Sequence, residues 1–295
     1  MNNIFTYSTA FMLGLALVAT PDADAQQFGK RKQYNSVGFS LNAMNYFGDV
    51  TPVTNFTSLR LGATRVGAGV SITRRFFPRL SGRFGLSYGR ITGDDAKATD
   101  GVSDPDARFR RNRNFTFRND LLEASAVAVV DLIENRNNYL KRPDFVPYVF
   151  AGVAGFYNNP QGLYKDGTYV DLQPLKTEAQ ADTYSKYQLS IPFGGGIRYR
   201  INRNFDANLE IGWRKTFTDY IDDVGGQFAD KALLTTEFQR YFGNEITKSQ
   251  TGDFAQFASK GSQRGDKGNR TDWYIVTGVT LNYILTPRIK NPKFR

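Results

Sequence analysis

Apolar and polar residues alternate in eight stretches of this chain, and the gaps between the stretches are alternately long and short. The clearest stretch sets Phe205, Ala207, Leu209, Ile211 and Trp213 on one side and Asp206, Asn208, Glu210, Gly212 and Arg214 on the other. A period of two marks a strand with one apolar and one polar face, because successive side chains of an extended chain point in opposite directions. The other seven stretches fall at 36–46, 65–75, 80–92, 121–132, 147–157, 188–201 and 273–285. Residues 121–132 are rich in Ala, which also permits a helix. Residues 147–157 are so uniformly apolar or small that the pattern leaves their faces unassigned.

The long gaps are 47–64, 93–119, 158–187 and 217–272, and the short ones are 76–79, 133–146 and 202–204. Strict alternation of long and short connections predicts an all-β fold: a transmembrane antiparallel up-and-down β-barrel of eight strands. Its long loops are extracellular, its short turns periplasmic and both ends of the strand run periplasmic. Ten strands result if 168–172 pairs with a partner inside its own loop. A soluble β-sandwich also alternates, but loops this long are uncommon in one. A lipocalin-like barrel turns its apolar face inward. Here Arg83, Glu123, Arg198, Arg200, Glu210 and Arg214 share the polar faces, and inside a narrow eight-strand barrel such charges pair and fill the lumen.

A mean hydropathy of −0.45 would suggest a soluble protein, but a barrel turns only alternate strand residues to lipid. The 24 Phe and 16 Tyr suit aromatic girdles at the two membrane interfaces. Residues 10–19 form a short apolar core, and Ala23-Asp24-Ala25 follows it as an A-x-A cleavage site. Residues 1–25 are therefore expected to be a signal peptide and 26–295 the barrel domain, exported to an outer membrane. The net charge of +10 rises on cleavage, because the leader carries two acids and no base. That excess favours membrane lipid, lipopolysaccharide or an acidic partner, and not nucleic acid.

Catalytic equipment is sparse. The chain has no Cys and no His, which removes the thiolate nucleophile, the commonest general base and the commonest metal ligand. Phe193-Gly194-Gly195-Gly196 lacks the following helix and Lys-Ser/Thr of a phosphate loop and reads as a flat piece of strand. Asp219, Asp222 and Asp223, and also Asp94, Asp95, Asp100, Asp104 and Asp106, cluster in loops without Ca²⁺-site spacing and read as solvated carboxylates. No metal, no cofactor and no enzyme activity is expected. The Arg- and Phe-rich run 108–115 is expected to contact lipopolysaccharide phosphate or to pack back onto the barrel mouth. The aromatic-rich part of 217–272 is expected to fold over the rim, and 260–270 to be mobile. On the periplasmic side, Asn137, Tyr139, Lys141, Arg142, Arg288, Lys290 and Lys293 are candidates either for headgroup anchoring or for docking a partner.

Several segments resemble the PorG-like family, small outer-membrane barrels of the type IX secretion system of Bacteroidetes. They are Asn45-Tyr46-Phe47-Gly48-Asp49, residues 109–118, Pro147-Tyr148-Val149-Phe150-Ala151-Gly152, Leu172-Gln173-Pro174-Leu175, Thr177-Glu178-Ala179-Gln180 and Ile191-Pro192-Phe193-Gly194-Gly195-Gly196. The most specific is Thr216-Phe217-Thr218-Asp219-Tyr220-Ile221-Asp222-Asp223-Val224. The resemblance implies a non-enzymatic barrel that anchors a periplasmic ring, built from a PorK-like lipoprotein and PorN-like subunits, near the translocon. The alternative class is a stand-alone channel or a barrel that binds solutes or lipopolysaccharide.

Overall fold

The computed structural model describes residues 32–50, 61–98, 110, 112–245, 259–265 and 271–286. Ten strands form: β1 Asn35–Phe47, β2 Arg65–Arg75, β3 Leu80–Asp94, β4 Thr116–Asp131, β5 Phe145–Tyr157, β6 Pro160–Leu163, β7 Tyr169–Asp171, β8 Tyr187–Arg200, β9 Phe205–Thr216 and β10 Trp273–Leu285. Eight of them pair antiparallel in the cycle β1–β2–β3–β4–β5–β8–β9–β10, and β10 returns to β1, so the sheet has no open edge in its wall. The Ala-rich segment is strand β4, paired along its whole length with β3. The expected pairing at 168–172 does occur, as β7 on β6, but β6 adds only to the overhang of β4 at Phe117–Asn119. The hairpin extends one wall above the mouth, and the wall itself keeps eight strands. No helix among the described residues is long and apolar enough to cross a membrane.

The alternation read from the sequence sorts the side chains by face. Leu41, Val70, Phe84, Leu122, Val153, Leu189, Leu209 and Val279 are exposed on the outside of the barrel. In water such a belt would be unfavourable by about 25 cal/mol for each Å² left uncovered; hydrocarbon removes that cost. Aromatic residues mark its borders. At the long-loop end Phe193 stacks on Trp213 and meets Trp273 edge-on, with the Lys215 ammonium 5.6 Å from the Trp273 ring. At the short-turn end Phe205 packs on Tyr283 at 5.2 Å. Ile275 departs from the pattern: it is buried on the outer side, with Asn45 and Trp213 as cross-strand neighbours.

Inside, large rings of β5 lie over the neighbouring strand β8. A Cβ at Gly194 would meet the Ile211 carbonyl and the Phe150 ring, and one at Gly196 the Leu209 carbonyl and the Tyr148 hydroxyl. The glycine run of β8 thus gives rings of β5 room against the wall, a requirement of close approach.

Candidate functional site: a sealed lumen between two closures

The polar strand faces meet inside the barrel as layers of charged braces. Nearest the short turns, Arg75 donates to Asp131 at 3.0 Å, and Arg198 donates to both oxygens of the same carboxylate at 3.1 Å. One layer up, Arg83 on β3 grips Glu210 on β9 through two hydrogen bonds of 2.6 and 3.1 Å. Three strands separate β3 from β9 either way round the cycle, so this pair spans the full diameter. The Tyr148 hydroxyl donates to the same Glu210 at 2.9 Å. Above it, Tyr274 donates to Glu123 at 2.6 Å, and the Arg214 Nε adds a contact at 3.4 Å. Between the braces lie cavities of about 30 and about 70 Å³. Each has room for a few waters.

The long-loop end is closed by the loops themselves. Met44, Tyr46, Val50, Ile91, Phe115, Phe117, Leu121, Phe156, Leu172, Ile221, Val224, Phe242 and Tyr274 form one buried core that joins barrel wall to cap. Polar groups thread this core in pairs. Arg113 chelates Asp95 with two bonds of 2.8 Å and donates also to the carbonyls of Asp49 and Arg264. Arg264 donates to Glu178 at 2.8 Å and to the Asp223 carbonyl, while Glu178 accepts from the amides of Gly225 and Gly226. Asp223 accepts from Thr177 and Tyr184, and burial, opposed by Arg264, pushes its carboxyl up to about 6.

The Tyr46 hydroxyl lies 2.6 Å from Asp222 and 2.8 Å from Asp272. A phenol has one hydrogen, so it can donate to only one of the two carboxylates. The second contact requires a carboxyl proton donated to the phenol oxygen. Burial, and then the neighbouring acids, hold both Asp222 and Asp272 well above the ordinary carboxylate range, in keeping with a shared proton.

The short-turn end is closed by residues 132–144, which cross the mouth. Arg142 is buried and donates to both oxygens of Asp206 and to the carbonyls of Tyr139, Arg203, Asn202 and Phe205. Asn138 caps the following turn through the amides of Leu140 and Lys141. The Asn135 backbone amide donates to the Pro78 carbonyl of the β2–β3 turn, and the Tyr139 ring sits 6.4 Å from Tyr34, just before β1 on the far side of the barrel.

Of the luminal charges named from the sequence, Arg83 and Glu210 form one brace, Arg214 and Glu123 another, and Arg198 joins Asp131. Arg200 lies lower, at the rim, paired with the exposed Asp144. Arg75, Asp131, Asp206, Tyr148 and Tyr274 belong to the same scaffold and were not singled out; alternation on β4, β9 and β10 marks Asp131, Asp206 and Tyr274 as inward. Among the docking candidates, Asn137 and Lys141 are exposed and Tyr139 is half-buried. Arg142 is corrected: its guanidinium is consumed by Asp206 and four carbonyls and is not offered to a partner. Arg288, Lys290 and Lys293 lie outside the described residues, as do 1–25, Phe254 and Phe257. From the basic run, Arg110, Arg113 and Phe115 pack into the cap, and Arg108 lies outside the described residues. The stretch expected to be mobile contributes Arg264 to the cap core, because two buried acids need its charge. The loop acids also depart from the solvated reading: Asp95, Asp222 and Asp223 are buried, while Asp94 pairs with Lys97 at the surface. Among the described residues no group of three or more side chains could hold a metal ion.

A closed antiparallel cycle of eight strands, apolar outside and braced by charge inside, defines a transmembrane β-barrel. Barrels of this class place their long loops outside the cell and their short turns in the periplasm. The chain belongs to the family described as "Domain of unknown function (DUF6089)", whose model matches residues 25–245. No curated protein matches it in sequence. Among solved structures it is similar to Neisserial surface protein A, at 10% identity and a TM-score of 0.40 over 84% of this chain and 96% of that one. It is also similar to a major outer membrane protein of Thermus thermophilus, at 12% identity and 0.37 over 85% and 99%. For Ail of Yersinia pestis the values are 7% and 0.36 over 86% and 97%. The strand count here rests on the ladder pairing itself.

Proposed function

We propose that this protein is a non-enzymatic outer-membrane component of the type IX secretion system that anchors or positions the periplasmic ring near the translocon. One observation carries the reading: the lumen is crossed by salt bridges and closed at both ends, so the barrel serves as a rigid membrane pillar and not as a conduit. Eight strands give an interior that side chains can fill, and here ion pairs cross it. The resemblance of 45–49, 109–118 and 216–224 to PorG-like barrels supplies the machine to which such a pillar belongs. Their described residues contribute to the cap: Tyr46, Arg113, Asp222 and Asp223 are among its buried groups. A stand-alone channel would need a continuous path, which the braces interrupt.

The test is affinity purification of the tagged protein after crosslinking in intact cells. Recovery of PorK-like and PorN-like ring subunits is the expected outcome. A clean preparation without either subunit, together with normal protein secretion in a deletion strain, would overturn the reading.

A further inference from the structure

The floor of the barrel carries a charge pattern that the lumen does not need. Every acid in the described part of the periplasmic end is already paired: Asp131 with Arg75 and Arg198, Asp206 with Arg142, Asp144 with Arg200, and Glu134 with Arg136. The cations outnumber them. Arg79, Lys141 and Arg203 are exposed and make no ion pair with any described residue. All three sit on the short turns, and Leu140, 44% exposed, stands beside Lys141. The surface so formed is basic with an apolar point, and it is held stiff from beneath by Arg142, Asn135 and Asn138.

Resting on the anchoring role proposed above, we infer that this floor is the docking face for the acidic surface of a water-soluble periplasmic protein. Lys141 and Arg203 pair with its carboxylates, and Leu140 enters an apolar notch. Position on the barrel decides between protein and lipid. Residues 132–144 reach across the mouth from the β4–β5 side to Tyr34 at the foot of β1 and to the β8–β9 turn, so Lys141 stands over the lumen, inside the ring of lipid. Arg74 shows the contrasting placement: it lies on the lipid-facing side of β2, 5.6 Å from the Phe76 ring, where a headgroup phosphate is the natural counterion. A floor that is rigid before contact loses little entropy on binding, and rim charges of one sign speed encounter with a partner of the other.

The chain has no Cys, so Asn137→Cys gives a unique attachment point for a thiol-linked photocrosslinker on the full-length protein in its native membrane. The expected result is an adduct of one defined mass whose partner, identified by mass spectrometry, is a soluble periplasmic protein with an acidic surface. Adding Lys141→Glu and Arg203→Glu is expected to lower its yield about tenfold, and Lys141→Arg with Arg203→Lys to preserve it. Heat-modifiable migration on gels verifies that each variant holds the folded barrel. Adducts to lipid alone, the absence of any adduct, or a yield indifferent to charge reversal in a folded barrel would overturn the inference. Should tagged wild-type barrel still recover ring subunits in that case, the docking face is wrong and the anchoring role survives; loss of both results removes both.

Discussion

Individual ion pairs in this barrel differ sharply in what they contribute, and burial is the reason. Arg142 and Asp206 have side chains only 3% and 5% exposed, and Arg142 is the cation that pairs with Asp206 among the described residues. Arg142→Ala is expected to lower the unfolding free energy in detergent by about 3–5 kcal/mol, because it strands a buried carboxylate. Arg200→Ala, whose partner Asp144 is largely exposed, is expected to cost about 1 kcal/mol or less. Equal losses in urea titrations of the two variants would contradict this ranking. The shared proton of Tyr46, Asp222 and Asp272 makes the cap pH-sensitive. Carboxyls raised in the folded state favour it at pH below their ordinary value of about 4, and that contribution fades as pH climbs through the raised values. For Asp223 the window ends near 6, and Asp222 and Asp272 are raised in the same direction by burial and by the neighbouring acids. Loop cleavage by a protease active across the range should therefore be slower at pH 5 than at pH 8, after correction for the enzyme's own profile. Asp222→Asn should flatten the difference, and a cap cut faster at pH 5 would refute the shared proton.

At the scale of elements, each strand is specified twice, by alternation and by the braces its inner face supplies. Alternation was legible wherever the polar face held charge, as on β9 and β8. It was silent on β5, where Val146, Tyr148 and Phe150 face inward and Val149 and Val153 face lipid, because both faces are apolar. That silence hid Tyr148, a ligand of Glu210. The pairings themselves had no local signature: Arg83 and Glu210 are 127 residues apart, and only closure of the sheet brings them together. The cap was hidden for a related reason, since its buried acids look like loop acids until Arg113 and Arg264 arrive from other loops and the Tyr46 hydroxyl from β1. Strands β3 and β4 also run past their expected ends, to Asp94 and from Thr116, because the cap packs against the overhang. Turning a lipid-facing position polar should expose the cost of breaking alternation. Leu209→Arg, at mid-strand on the outer face, is expected to destabilise the barrel in lipid by about 2–4 kcal/mol. Asn208→Ser, one residue away and facing the lumen, should change it far less. Equal costs would mean that the faces are wrongly assigned.

For the whole molecule, the inner braces, the cap and the floor make one object: a braced β-barrel with a shaped surface on each side. The outer belt holds it in lipid and the paired interior removes the need for water to pass. The proposed role, in which position is the product, rests on the ion pairs that cross the lumen. The measurement that tests this most directly is the current across a planar bilayer after insertion of the purified full-length barrel, with insertion verified independently. A silent membrane at moderate voltage is expected, and steady unitary conductance from the wild-type protein would contradict the sealed pillar.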